Sequence, residues 1–226
     1  MKSIIALNLK TYKKSSLENS VSIAKTVEVT AKKHKRYAEF ILAPNTLDLK
    51  CVSEYLKNTK LFSQHVDPVE PGKSTGKIVP YYLKKIGVKG SIINHSEDRM
   101  KLQEIKNVIE ILNRFSLKSL VCVENLKEAK KIAKLNPTYI AFEDPKLIGT
   151  GIPISRAKSN DVKKFVGIVK KNSDAIPLCG AGISSAEDVK AALELGTEGV
   201  LIASAFVKSR NKKLFLEKII EMIKGV

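Results

Sequence analysis

Eight short apolar runs alternate with eight longer amphipathic stretches, and this alternation restricts the fold more than any other feature of the chain. The apolar runs, at residues 4–7, 39–43, 60–64, 90–94, 119–123, 138–142, 175–178 and 199–202, have the length and composition of buried strands. Helical periodicity fills the intervals, over roughly 17–34, 46–56, 79–86, 101–114, 126–135, 159–172, 186–195 and 211–223. Strand and helix in strict alternation imply parallel strands joined by helical crossovers. The chain has 226 residues, somewhat fewer than the ~250 typical of eight such units closed into a ring. The expectation is an α/β protein, a compact (β/α)8 barrel formed as one domain over 1–226, since no linker or change of composition divides the chain. An open doubly wound sheet is the alternative, but no glycine-rich dinucleotide fingerprint follows the first strand.

Composition narrows the function classes. No apolar run approaches the roughly 18–20 residues that cross a bilayer, and the N-terminus, MKSIIALNLKTY, turns polar too soon for a signal peptide. Cys51, Cys122 and Cys179 are an odd, scattered set without metal spacing, which suits a reducing cytoplasm. Lys and Arg total 40 against 23 Asp and Glu, a net charge of +17. Such a charge suits nucleic acid, an acidic surface or anionic metabolites. The lysines recur in pairs on nearly every helix, with no Trp and no aromatic ladder beside them. That distribution reads as a solvated basic surface, with no specific nucleic-acid face and no membrane.

In a barrel of this kind chemistry gathers where strands end. The sixth run ends on Glu143 and leads to Gly149-Thr150-Gly151, so one strand end offers a base and, a few residues on, glycines whose N–H groups can approach an anion. By itself this is also what a strand, a polar cap and a surface loop look like. The first run ends Asn8-Leu9-Lys10, with Asn8 and Lys10 on the same side. The fourth ends Asn94-His95-Ser96-Glu97-Asp98; the two acids suit a helix's first turn, and a helix N-terminus beside His95 disfavours the imidazolium. The seventh and eighth lead into Cys179-Gly180-Ala181-Gly182 and Ala203-Ser204-Ala205, small residues where a phosphate is commonly held.

These pieces together resemble the triosephosphate isomerase family, and within it the short archaeal branch. The resemblance rests on Asn8-Leu9-Lys10-Thr11-Tyr12, Gln64-His65-Val66-Asp67-Pro68, Asn94-His95-Ser96-Glu97, Glu143 with Ile148-Gly149-Thr150-Gly151, Cys179-Gly180-Ala181-Gly182-Ile183-Ser184, and Ala203-Ser204, in family order over nearly the whole chain. It implies a TIM barrel that interconverts dihydroxyacetone phosphate and D-glyceraldehyde 3-phosphate in glycolysis and gluconeogenesis. Glu143 would then be the base, His95 the neutral electrophile, Lys10 a fixed positive charge and Asn8 a substrate-orienting group. Glu97 would support them, and Ile148, Gly149, Gly182, Ala203 and Ser204 would shape the phosphate grip, with a mobile segment after Glu143 shielding the intermediate. No metal or redox cofactor is needed.

The chain departs from the family's pattern at Asp144, where Pro usually follows the base. That puts loop kinetics and the base's proton affinity in question. Gly182 and Ala203-Ser204 mark the archaeal type. The resemblance also implies that the long loop 66–78 reaches a second copy, with Thr75 near the partner's Asn8 or Lys10, giving an obligate homodimer and a homotetramer built from it. Two other readings remain at this level: another phosphate-binding barrel enzyme, an epimerase or a biosynthetic synthase, and a basic nucleic-acid-binding or scaffolding protein.

Overall fold

A computed structural model describes residues 2–144 and 154–225. Strands β1 (Ser3–Asn8), β2 (Ala38–Ala43), β3 (Thr59–Ser63), β4 (Gly90–Ile93), β5 (Lys118–Val123), β6 (Tyr139–Phe142), β7 (Ile176–Cys179) and β8 (Gly199–Ile202) each pair in parallel with the next. The ring closes where Ile4–Leu7 of β1 lie against Gly199–Ile202 of β8. The expected (β/α)8 barrel is therefore the observed one, and the open sheet is excluded.

Helices α1 (Glu18–His34), α2 (Leu49–Ser53), α3 (Pro80–Lys85), α4 (Leu102–Arg114), α5 (Leu126–Ala133), α6 (Ile154–Ala157), α7 (Ser159–Asn172), α8 (Ala186–Glu194), α9 (Ser204–Lys208) and α10 (Lys212–Lys224) surround it. Their starts are chemically marked. Glu104 accepts the Lys101 N–H at 2.7 Å before α4, the Asn125 side chain accepts the Glu128 N–H at 2.9 Å in α5, and Ser185 and Asp188 cap α8 reciprocally. Helix α4 then buries Ile105, Val108, Ile109 and Leu112, a spacing that lays one apolar stripe on the barrel.

Strand alternation divides the core in two. Ile4, Ala6, Ile41, Ala43, Leu120, Cys122, Tyr139, Ala141, Leu178 and Leu201 pack together inside the ring. Their neighbours in sequence, such as Ile5, Leu7, Phe40, Leu42, Val121, Ile140 and Phe142, pack outward with the helices. Continued past the ends of β1, β6 and β8, the inner series reaches Asn8, Glu143 and Ala203, so the filled barrel delivers these residues to its C-terminal mouth.

The expected helix over 46–56 is instead a 3₁₀ turn, Thr46–Asp48, followed by α2. Its apolar spacing is helical, but the Asn45 side chain accepts the Leu47 N–H at 3.2 Å and caps a tighter turn first. The short helices α6 and α9 had no separate periodicity to find.

Candidate active site

A cavity of about 270 Å³ opens at the C-terminal mouth, lined by Asn8, Lys10, His95, Glu97, Glu143, Gly180, Gly182, Ala203 and Ser204 among others. Residues from five strand ends, those of β1, β4, β6, β7 and β8, thus meet in one space. Asn8, the last residue of β1, accepts the Lys10 N–H at 2.9 Å on its side chain and holds Lys10 at φ 50°. Gln64, after β3, ties the same corner by donating to Lys10 O and Ala43 O, both at 3.0 Å. The Lys10 Nζ lies 2.6 Å from Glu97 Oε1, its side chain 12% exposed. The ammonium is fixed at the cavity wall rather than solvated.

His95 reaches the cavity by a break in alternation. Ile92 faces inward, so His95 three residues on would face outward if the strand continued. Asn94 instead adopts φ 59°, held by its side chain, which donates to Cys122 O at 2.8 Å and accepts the Met100 N–H at 3.0 Å. Asn and Asp tolerate this left-handed conformation better than other side chains with a Cβ. The kink turns the imidazole inward. Glu97 and Asp98 do not lie in a helix's first turn; they lie in a turn closed by Asp98 N–H to His95 O at 2.9 Å, and α4 begins at Leu102, close to the start of the expected helix over 101–114. The Glu97 N–H points at His95 Nδ1 at 3.2 Å. Nδ1 is therefore an acceptor, and a neutral ring carries its proton on Nε2. That Nε2 faces Glu143 Oε2 at 3.8 Å.

Glu143 is 5% exposed, and its Oε2 accepts no hydrogen bond among the described residues. Burial pushes its carboxyl above the ordinary 4.5. A charged His95, the Cys122 thiol hydrogen bond and Lys10 act against that rise, while Glu97 adds to it. Beneath the base sit Cys122 and Cys179, whose thiols burial raises, the second to about 12. Both are thus uncharged neighbours.

Gly180 is set beside Glu143 by its N–H to Phe142 O at 3.0 Å, and a Cβ there would stand 2.6 Å from Glu143 Cγ. Any side chain would displace the carboxylate. Gly182, at φ 70°, turns the chain back across the mouth. Gln64, Asn94, Cys122 and Gly180 are site residues to which the sequence reading assigned no role. The usable signals were Asn before His95 and Gly two residues before Gly182.

The remaining expected residues fall elsewhere. Ile148 and Gly149 lie outside the described residues. Thr75 is exposed on the loop 66–78 and does not line the cavity. The loop's base is pinned by Asp67, which accepts the Ile78 N–H at 2.8 Å and pairs with Lys77 at 3.0 Å. Burial pushes the Asp67 carboxyl up, but these bonds and His65 hold it below its usual range. Among the described residues, no group of three or more His, Cys, Asp or Glu is placed to hold a metal, and no helix is long and apolar enough to cross a membrane.

A family model described as triosephosphate isomerase matches residues 3–223. The chain is 45% identical over 218 residues to the triosephosphate isomerase of Methanothermus fervidus, covering 96% of this chain and 97% of that one. It is 42% identical over 221 residues to that of Methanocaldococcus jannaschii, covering 97% and 100%. With the enzyme of Methanobrevibacter smithii it shares 40% over 211 residues, covering 93% and 94%. These matches favour this family over another phosphate-binding barrel enzyme.

Proposed function

Because the chain belongs to the triosephosphate isomerase family, we propose that this cavity interconverts dihydroxyacetone phosphate and D-glyceraldehyde 3-phosphate through an enediolate, the step the family supplies to glycolysis and gluconeogenesis. The observation that carries the assignment is the buried Glu143 Oε2, unpartnered among the described residues and facing His95 Nε2. Glu143 takes the proton from C1 of the ketose and returns it to C2, which leaves the aldehyde at C1. Its buried, raised carboxyl makes it a stronger base than a solvated one. His95 donates from Nε2 to the oxygens on C1 and C2 as charge develops there. The Lys10 ammonium, held by Glu97, stabilises the same charge without reorganising. Asn8 orients the substrate and holds Lys10. Gly182, Ala203 and Ser204 offer backbone and hydroxyl groups to the phosphate, and by resemblance Ile148 and Gly149 complete that grip.

No step calls for a metal or redox cofactor. The three cysteines are free, which accords with a cytoplasmic location. We further propose a homodimer as the active unit and a homotetramer as the assembly. Leu17 and Leu47 stand 61% and 81% exposed after β1 and β2. A hollow lined by Thr11, Thr46, Gln64 and His65 adjoins the cavity and shares Lys10 and His95 with it. A partner's loop tip at Thr75 would fill this hollow. Light scattering across protein and salt concentration tests the assembly; a fully active monomer overturns it.

A coupled assay for glyceraldehyde 3-phosphate formation tests the reaction. His95→Ala is expected to lose on the order of 100-fold or more in kcat. No turnover in the intact protein, or full turnover without His95, rejects the reading.

A further inference from the structure

His95 turns into the cavity because Asn94 holds φ 59°, and two side chains that do not line the cavity hold Asn94. The Asn94 side chain donates to Glu128 Oε1 of α5 at 3.0 Å as well as to Cys122 O. The Asn94 carbonyl belongs to the peptide that enters His95, and it accepts from Arg99 Nη1 at 3.2 Å. Arg99 Nη2 in turn donates to the same Glu128 Oε1 at 2.5 Å. Asn94, Glu128 and Arg99 thus form a closed ring of hydrogen bonds. A carboxylate in the first turn of a helix is ordinary. Here the start of α5 uses only part of Glu128: its N–H donates to the Asn125 cap, and its Oε2 accepts the Glu124 N–H at 2.8 Å. Oε1 is left for the two donors from the connection between β4 and α4. An ion pair with side chains 36% and 18% exposed adds little stability. A planar guanidinium bridging two acceptors adds geometry instead.

We propose that Glu128 and Arg99 are positioning residues for His95, fixing the peptide that aims its imidazole into the cavity. This rests on His95 being the group that polarises the substrate. Glu124 Oε1, 3.8 Å from Arg99 Nη2, is the other carboxylate paired with the guanidinium. Without Glu128, the guanidinium swings towards Glu124 and leaves the Asn94 carbonyl. The turn that sets the Glu97 N–H on His95 Nδ1 is then loosened.

The test compares Glu128→Ala, Glu128→Gln, Arg99→Met and the double variant Glu128→Ala/Arg99→Met. Each is followed by steady-state kinetics, thermal melting and the ring-nitrogen NMR signals of His95 without substrate, assigned by their absence in His95→Gln. In the wild type, with Nδ1 an acceptor and Nε2 protonated, the two ring signals should stand well apart. In Glu128→Ala and Arg99→Met they are expected to draw together as the ring exchanges between tautomers. There kcat should fall about tenfold, with KM changed less than about twofold. Glu128→Gln keeps an oxygen for both donors and should stay within about threefold of wild-type kcat. The double variant should lose no more than the worse single one, since the two side chains act as a unit. A merely structural ion pair would lower Tm and leave kcat and the ring signals in place. Ring signals unmoved in both single variants, wild-type kcat in both, or multiplied losses in the double variant each overturn the proposal. Failure of His95 in its assigned role shows separately, as full turnover in His95→Ala.

Discussion

The two ends of this barrel each carry a carboxylate with basic groups near it, and they are built to opposite rules. At the N-terminal end, Glu39 of β2 accepts from Lys60 of β3 and, at 3.1 Å, from the Tyr139 hydroxyl of β6. Lys118 of β5 stands 5.7 Å over the Tyr139 ring. Burial and then Lys60 lower the Lys118 ammonium's proton affinity, while burial and then Glu39 raise the Tyr139 phenol's. Glu39 and Lys60 are each 27% exposed, and every charge has a partner or water within reach. At the C-terminal end, Glu143 is buried, with one oxygen unpaired among the described residues and His95 Nε2 3.8 Å from it. One cluster closes the barrel floor. The other keeps a carboxylate short of partners, which costs stability and leaves a lone pair for chemistry.

The contrast is sharpest in turnover. Glu143→Asp draws the carboxylate back by about 1 Å, and kcat should fall on the order of 100-fold with KM little changed. Glu39→Gln should leave kcat within about twofold. Steady-state kinetics on both decides it, and equal losses would break the comparison. Gly180→Ala comes next. Its Cβ must move Glu143 Cγ from 2.6 Å, and a loss of about tenfold in kcat is expected with the fold retained, checked by kinetics and circular dichroism.

Stability should run the other way. A carboxyl raised in the folded state contributes stability that is present below its unfolded value, about 4.5, and is lost as pH rises through the folded value. At pH 7, above the unfolded value, the raised and buried Glu143 is therefore destabilising. Glu143→Gln should raise Tm by about 2–4 °C at pH 7, with the gain shrinking below pH 4.5. Glu39→Gln should lower Tm at pH 7, since it removes the negative charge that pairs with Lys60. Calorimetry at the two pH values measures both. The smallest effect concerns the surface rather than either cluster. A dianionic substrate meeting a +17 protein should be steered, so kcat/KM should fall about twofold to fivefold between low and moderate salt. A flat dependence would leave the lysines without this role.

The order of the eight units, the barrel closure and the inward direction of Asn8, Lys10 and Glu143 were legible in the sequence. The unit order and the expectation of closure follow from the alternation of apolar runs with helical periods, and the side-chain directions from a period of two along one strand. The direction of His95 was not, because it depends on Asn94 leaving the strand conformation, held by Cys122 and Met100. Nor was the turn after His95, where two acids suggested the first turn of a helix that begins only at Leu102.

Composition and spacing along the chain thus determined which residues stand at the strand ends and what chemistry they carry. Only the tertiary structure decided what each one touches. Cys122, Glu143 and Gly180 come from three strands, and they meet because Val123 lies beside Phe142, and Phe142 beside Cys179, in the closed ring. Those contacts set the base's burial, its missing partner and its proton affinity. They depend on the pairing of segments that are distant along the chain, which the pattern of any one segment does not specify.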